Sequence, residues 1–398
     1  MRTERLFIFT LFTLFSFIVS AQNDFRDGYI VTSSKDTLRG ALEYRSDKRN
    51  YFSCRFRSGM DVQLYSPEDI TGYGYVNDKY YSSLIIKGSF VEVLVSGKVS
   101  LYKSETNFYL QKTGEALFKL EQKENKTELR EGRLIIVEDA RWKGIINYLV
   151  YDCVKTKNAS KDLKFNEESI TKFILKYNIC TGSEYIDYKA NKPWSKLIPG
   201  FSGGILTSKV RVIDVFNYLD YLPDQYQSSD PFVGFVLEFS SPRLSEKAAI
   251  ETEVQLIKQV FSEEVRRDYP TIVELEETLF TLNTLSFNYS LKYKFNGNKL
   301  TPFIQGGGTY DYLFRSNTEF IEETVFLNEK EVTTSYSNPF DFKKYQFGFW
   351  AGIGLSKKIK QNKLAARIRY SNTTLFSAHQ EMHANNYNFS FSLSFTFE

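Results

Sequence analysis

The chain has 398 residues, too many for one small domain and suited to two. Its 51 basic and 48 acidic side chains nearly cancel to +3, which leaves no electrostatic footprint for nucleic acid. Aromatic content is the unusual number: 16%, with 35 Phe and 27 Tyr against 3 Trp, more than an ordinary core needs.

The first stretch reads as a secretory signal peptide, residues 1–21. Arg2 and Arg5 precede a run from Leu6 to Val19 that is apolar apart from two Thr and one Ser. Val19-Ser20-Ala21 then offers small residues at the cleavage positions, which puts the cut after Ala21. The competing reading is an uncleaved anchor, but the run is shorter than the roughly 20 residues of a spanning helix. No Cys at the junction supports a lipoprotein anchor. After Ala21 no apolar run approaches that length, so a membrane reading of the remainder requires a β-barrel, which also satisfies its backbone internally.

Residues 22–137 read as a soluble, β-rich domain expected to be periplasmic. Gly28–Thr32 leads through Ser33-Ser34-Lys35-Asp36 to Thr37–Tyr44, a hairpin with a polar turn. Further strands are expected over Tyr51–Arg57, Asp61–Tyr65, Ile70–Val76, Tyr80–Ile86, Phe90–Leu101, Phe108–Lys112 and Leu117–Gln122. The period then changes, and 138–182 reads as a two-helix appendage. Trp142, Ile145, Ile146, Leu149, Val150 and Cys153 share one helical face. Asn166 can cap a second helix with Glu167 and Glu168 in its first turn and Ile170, Phe173, Ile174 and Tyr177 as its apolar face. Residues 183–193 read as a linker. Three Cys permit one bridge. Cys153 and Cys180 are the expected disulfide, each near the end of a helix of the same hairpin, and Cys54 is expected as a buried thiol. No CxxC occurs, so neither a zinc ribbon nor a thioredoxin-like motif is present.

From Trp194 to Glu398 the pattern is that of an eight-stranded antiparallel transmembrane β-barrel, whose strands alternate a lipid face with a lumen face. In the last strand Tyr387, Phe389, Phe391, Leu393, Phe395 and Phe397 alternate with Asn388, Ser390, Ser392, Ser394 and Thr396. The same grammar covers Val233–Phe239, Leu285–Phe295, Phe347–Leu355 and Leu364–Tyr370, with weaker strands at Leu197–Leu206, Ala248–Ile257 and Thr301–Phe314. Long connections are expected at Thr207–Asp230, Phe261–Leu279, Arg315–Lys344 and Leu375–Asn386. Short ones are expected at Ser240–Glu246, Asn296–Lys299 and Lys357–Asn362. Long external loops and short periplasmic turns are the rule for such barrels, so both barrel ends fall on the periplasmic side. The phase of the alternation turns Glu238, Glu251, Glu253, Lys292, Lys294, Asp311, Arg367 and Arg369 inward. Eight strands leave a bore that side chains fill, so these charges are expected to pair in a closed polar core. A narrow polar conduit or small-ligand site is the alternative. Tyr293, Tyr310, Tyr312, Tyr370 and Tyr387 suit the membrane interface.

These segments carry a resemblance. Gly28–Thr32 with Asp36-Thr37-Leu38-Arg39-Gly40 resembles the opening of many exported proteins from Bacteroidota-type bacteria. Trp194–Ile205, Phe232–Phe239, Pro302–Gly308 and Phe389–Phe397 resemble the outer-membrane β-barrel (porin-like, PorT-like) family of the same bacteria. The resemblance covers about half the chain and implies fold and location rather than a defined activity. It also implies an assembly signal at Phe389, Phe391, Leu393, Phe395 and Phe397, read by the barrel-assembly machinery. Glu398 departs from the pattern by following the terminal aromatic.

No chemistry rises above this. The two His, His379 and His383, are spaced i, i+4, but Gln380 stands where a zincin needs Glu, and both fall in an expected external loop. The Gly clusters at Gly200–Gly204 and Gly306–Gly308 lack a following Gly-Lys-Ser/Thr and read as points where strands bend or approach closely. The expectation is a non-enzymatic outer-membrane barrel acting as anchor and as interaction or envelope-structural module, with no cofactor and no metal. The alternative is a component of an outer-membrane transport or secretion assembly, or a narrow conduit. A lipid-active barrel enzyme using His379 and His383 is the third reading. Expected partners are outer-membrane lipid, the barrel-assembly machinery and a periplasmic protein, with no nucleic acid.

Overall fold

A computed structural model describes residues 24–398 except 46, 124–125, 131–132, 138–139, 157–159, 215–224, 298, 327–330, 338–341 and 375–381. The expected signal peptide and His379 lie outside the described residues. The chain divides into two compact units, one ending at Pro193 and one starting at Trp194.

The first unit is built on one antiparallel sheet. β1 (Phe25–Thr32), β2 (Thr37–Glu43), β3 (Cys54–Ser58) and β4 (Asp61–Tyr65) form a meander, with the short α1 (Asp47–Asn50) between β2 and β3. β5 (Ile70–Tyr75) returns to the other side of β1. β6 (Tyr80–Ile86), β7 (Ser89–Ser96), β8 (Val99–Ser104), β9 (Asn107–Lys112) and β10 (Leu117–Leu120) continue from it in order. The stretch read as one strand over Phe90–Leu101 is two strands, because the chain turns at Gly97 and Lys98. β11 (Lys126–Arg130) and β12 (Arg133–Val137) form a separate hairpin.

The helices α2 (Arg141–Leu149) and α3 (Glu167–Cys180) lay their apolar faces on β7 to β10. Trp142, Ile146, Leu149, Ile170, Phe173, Ile174 and Tyr177 join Leu94, Val95, Val99, Leu101 and Leu110 in one core. The Asn166 side chain caps α3 by accepting from the Ser169 N–H at 2.8 Å. Cys153 and Cys180 form a disulfide with Cα atoms 6.3 Å apart, and Cys54 is a buried free thiol whose burial pushes its pKa up to about 12.

The segment 183–193, read as a linker, is part of this unit. β13 (Ile186–Asp187) adds to β7, and the buried Lys189 ammonium lies 2.8 Å from Glu92 and 2.6 Å from Glu167. One buried ion cluster therefore ties sheet, helix and segment together. A lone Lys among polar neighbours gives no sign of this in sequence, because its partners are 97 and 22 residues away.

In the second unit, eight strands close a ring among the described residues. They are β14 (Lys196–Asp214), β15 (Gln225–Ser240), β16 (Ala248–Asp268), β17 (Ile272–Lys294), β18 (Thr301–Phe326), β20 (Tyr345–Ile359), β21 (Asn362–Thr374) and β22 (Met382–Phe397). Neighbours in sequence pair antiparallel, and β14 against β22 closes the barrel. β19 (Glu331–Ser337) is an added strand on the far end of β18.

The strands overrun the expected loops. Leu206–Arg211 pairs with Gln225–Asp230, Phe261–Asp268 pairs with Val273–Phe280, and β18 continues to Phe326. Only Tyr269–Thr271 separates β16 from β17, where a long loop was expected. The reason is physical. Outside lipid a strand needs no apolar face, so Glu263–Asp268 stays paired while its alternation fades into charge. The glycines mark close approach, as expected: a Cβ on Gly204 or Gly307 would meet the Phe391 or Tyr289 carbonyl of the adjacent strand.

Candidate functional site

The barrel interior holds most of the site residues expected from sequence. Its outward face is apolar. Phe201, Ile205, Val233, Leu291, Phe349, Phe389, Phe391, Leu393, Phe395 and Phe397 are all exposed, Phe349 at 83%. The inward face is polar and buried, with Glu238 at 0% and Glu253 at 1%. A water-soluble barrel would show the opposite.

The two faces follow from period-2 alternation combined with register. Lys292 on β17 meets two carboxylates, Glu238 of β15 at 3.0 Å and Glu251 of β16 at 2.8 Å. Glu238 also takes Lys294 at 2.6 Å and Lys363 at 3.1 Å. One level along the axis, Arg367 of β21 crosses the bore to Glu251 at 2.8 Å and Glu253 at 2.7 Å. Ser202 of β14 donates to Glu253 at 2.6 Å, and Arg369 stands 3.5 Å from the same carboxylate. Arg369 also stacks over Trp350, 4.7 Å from the ring centroid. Six expected residues thus join through ion pairs: Glu238, Glu251, Glu253, Lys292, Lys294 and Arg367, with Arg369 at the margin. Asp311 lies apart from these pairs and accepts from Thr309 at 3.0 Å.

Lys363, Ser202, Trp350 and Gln305 belong to the same interior and were missed. Lys363 has the phase of Arg367, so extending that strand by one step toward its turn would have found it. Trp350 has the parity opposite to Phe347 and Phe349, which turns its ring inward toward Arg367 and Arg369.

Above the ion pairs is a cavity of about 30 Å³, lined by Gln255, Asn288, Thr309, Asp311 and Arg369 among others. It has room for about two water molecules. Further from the short turns, the bore is filled by an apolar cluster of Val210, Tyr226, Phe261, Phe280, Leu282, Leu313, Phe320 and Phe342. Phe261 stacks on Phe280 at 4.7 Å, and Phe342 packs on the same ring at 5.4 Å. The interior is thus packed at two levels, one ionic and one aromatic. Val210, Tyr226, Phe261, Phe320 and Phe342 sit in segments read as loops, Leu313 at the end of the expected strand Thr301–Phe314, and Phe280 and Leu282 between an expected loop and the strand that follows it.

The assembly-signal residues Phe389, Phe391, Leu393, Phe395 and Phe397 all point outward from β22. Glu398 folds back toward Lys196, Lys358 and Lys363 at 3.6 to 4.0 Å. Tyr345 stacks on both Tyr310 and Tyr312 at one level of the outer surface, while Tyr293 and Phe295 form a second group near the short turns. His383 is described only by its backbone, which pairs with Ile213. Among the described residues no three His, Cys, Asp or Glu are grouped to hold a metal ion.

No protein-family model matches the chain, and neither does any curated protein. Solved structures align with about half of the chain. The attachment invasion locus protein Ail of Yersinia pestis, solved with a heparin analogue, is 10% identical; the match covers 51% of this chain and 99% of that one, with a TM-score of 0.23. The N-terminal β-barrel domain of Pseudomonas aeruginosa OprF is 10% identical over 49% and 97%, with a TM-score of 0.22. The outer membrane protease OmpT of Escherichia coli is 11% identical over 50% and 96%, with a TM-score of 0.20. Likeness at this level transfers no role.

Proposed function

We propose that this chain is a bacterial outer-membrane protein whose barrel is a closed, non-catalytic anchor for its N-terminal domain. One observation carries the reading: an apolar outer face encloses an ion-paired interior. Lipid solvates the former, and pairing of opposite charges offsets the burial of the latter in a filled bore. Leu285 to Tyr293 on β17 covers the 9–11 residues that a tilted strand needs to cross, with aromatics grouped near both levels. The barrel's first and last residues lie at the short-turn end, joined there by Lys196 and Glu398. By the loop rule that end is periplasmic, so the N-terminal domain hangs in the periplasm. Within this reading the chain is a member of the PorT-like barrels of Bacteroidota-type bacteria, and β22 carries the assembly signal. A partner in the periplasm would meet the N-terminal domain.

Reconstitution into a planar bilayer tests the closed anchor. The protein should insert without steady single-channel conductance, because ion pairs and aromatic rings both fill the bore. Stable ohmic steps in the wild type, absent from empty-detergent controls, would sink the anchor and favour the conduit.

A further inference from the structure

The N-terminal unit carries an open groove of about 610 Å³, within the size range of ligand sites. Its lining includes Tyr29, Arg39, Asn77, Asp78, Tyr188 and Asn191. The floor and walls are held firmly. Tyr29 lies against Gly74, where a Cβ would fall 2.9 Å from its hydroxyl, so the glycine makes room for the ring. Tyr80 stacks between Tyr29 and Tyr188, at 6.3 and 5.1 Å with planes within 19°. The far wall, 186–191, is pinned by β13 on β7 and by buried Lys189 between Glu92 and Glu167.

Asp78 gives the groove its chemistry. It is 7% exposed, and one carboxylate oxygen pairs with Lys192. The other, Oδ1, is buried with no donor. An unmet buried acceptor is costly unless a ligand or water supplies the proton. Oδ1 has almost no exposed surface as the side chain stands, so a turn of the carboxylate toward the groove would present it; with Lys192 paired to the same group, it then suits a neutral hydroxyl or amide donor rather than a cation. The groove also presents Asn77, Asn191 and tyrosine side chains, with Arg39 and Asp187 adding one charge of each sign. Val76 at 57% and Ile186 at 55% exposure supply apolar surface. Rings, amides and a neutralised carboxylate together match a molecule with an apolar ring face edged by hydroxyl and acetamido groups.

We propose that this groove binds a saccharide. The choice of a cell-wall glycan as its source rests on the periplasmic placement above; the binding chemistry does not.

The test uses the full chain in detergent micelles and the tetramer of N-acetylglucosamine as a soluble probe. Isothermal titration calorimetry and saturation-transfer NMR read the binding. The wild type should bind. Tyr188→Ala should weaken binding by about tenfold, Asp78→Asn should weaken it by a similar factor, and Gln63→Ala on distant β4 should leave it unchanged. Thermal unfolding of each variant guards against loss of fold, and Arg39→Ala, on an exposed side chain, gives a second lesion that leaves the buried groups intact. No binding by the wild type at millimolar probe overturns the proposal. So does equal binding by wild type and a folded Tyr188→Ala. Binding of a wall stem peptide in place of the sugar reassigns the ligand class and overturns it too. Placement is read separately by labelling Asn191→Cys in intact cells with an impermeant maleimide. Labelling there would sink the periplasmic reading and leave the binding result standing.

Discussion

Arg367 spans the barrel from β21 to two carboxylates of β16, 114 and 116 residues away in sequence. Removing one member of a buried ion cluster leaves the others uncompensated in a medium that solvates charge poorly. Arg367→Ala should therefore cost about 3–5 kcal/mol. Urea unfolding in micelles, followed by the gel shift between folded and heated barrel, checks this; an unchanged midpoint would show that water replaces the guanidinium. Glu92 makes a comparable point in the N-terminal unit. Burial alone would raise its pKa, but Lys189, Lys79 and Lys103 outweigh that and hold the carboxyl down at about 2. A lowered folded-state value means the ion cluster stabilises the fold fully above about pH 5 and loses its contribution as pH falls toward 2. Stability measured from pH 6 to pH 2 should drop in the wild type, and Glu92→Gln should flatten that slope while lowering stability at neutral pH. A parallel slope in the variant would assign the acid lability to other groups.

Among the elements, the helical hairpin is closed twice, by packing and by Cys153–Cys180 across 27 residues. A bridge of that span removes freedom from the unfolded chain and is worth roughly 3 kcal/mol. Replacing both cysteines by Ser should lower the N-terminal unit's denaturation midpoint accordingly, and a reductant should do so only in the wild type. If reductant has no effect on the wild type, the two thiols are not joined. Helix faces and the Asn166 cap were legible because a 3.6-residue period and a capping side chain are local signals. Barrel strands were legible only where lipid imposes an apolar face. Above it β16, β17 and β18 run on through Glu263, Glu277 and Glu323, where water accepts any side chain and the pattern disappears. The segment 183–193 was misread for a related reason. A two-residue strand and one buried Lys are too short to produce periodicity.

At the scale of the whole molecule, two compact units are strung on one chain. Alternation alone determined that residues from Trp194 onward pair into strands with one greasy and one polar face, and it fixed which charges point inward. It did so because side-chain direction in a strand depends only on parity. Tertiary structure decided which of those charges meet: Lys292 takes both Glu238 and Glu251, while Asp311 is left aside, since strand register and barrel stagger set distances that parity cannot. It also decided that the bore is sealed a second time by Phe261, Phe280 and Phe342, drawn from stretches without a strand signal. The groove beside Asp78 is equally tertiary. Its residues come from β1, β2, the β5–β6 turn and the 186–191 segment, and only folding brings a neutralised carboxylate beside tyrosines about 50 and 110 residues away.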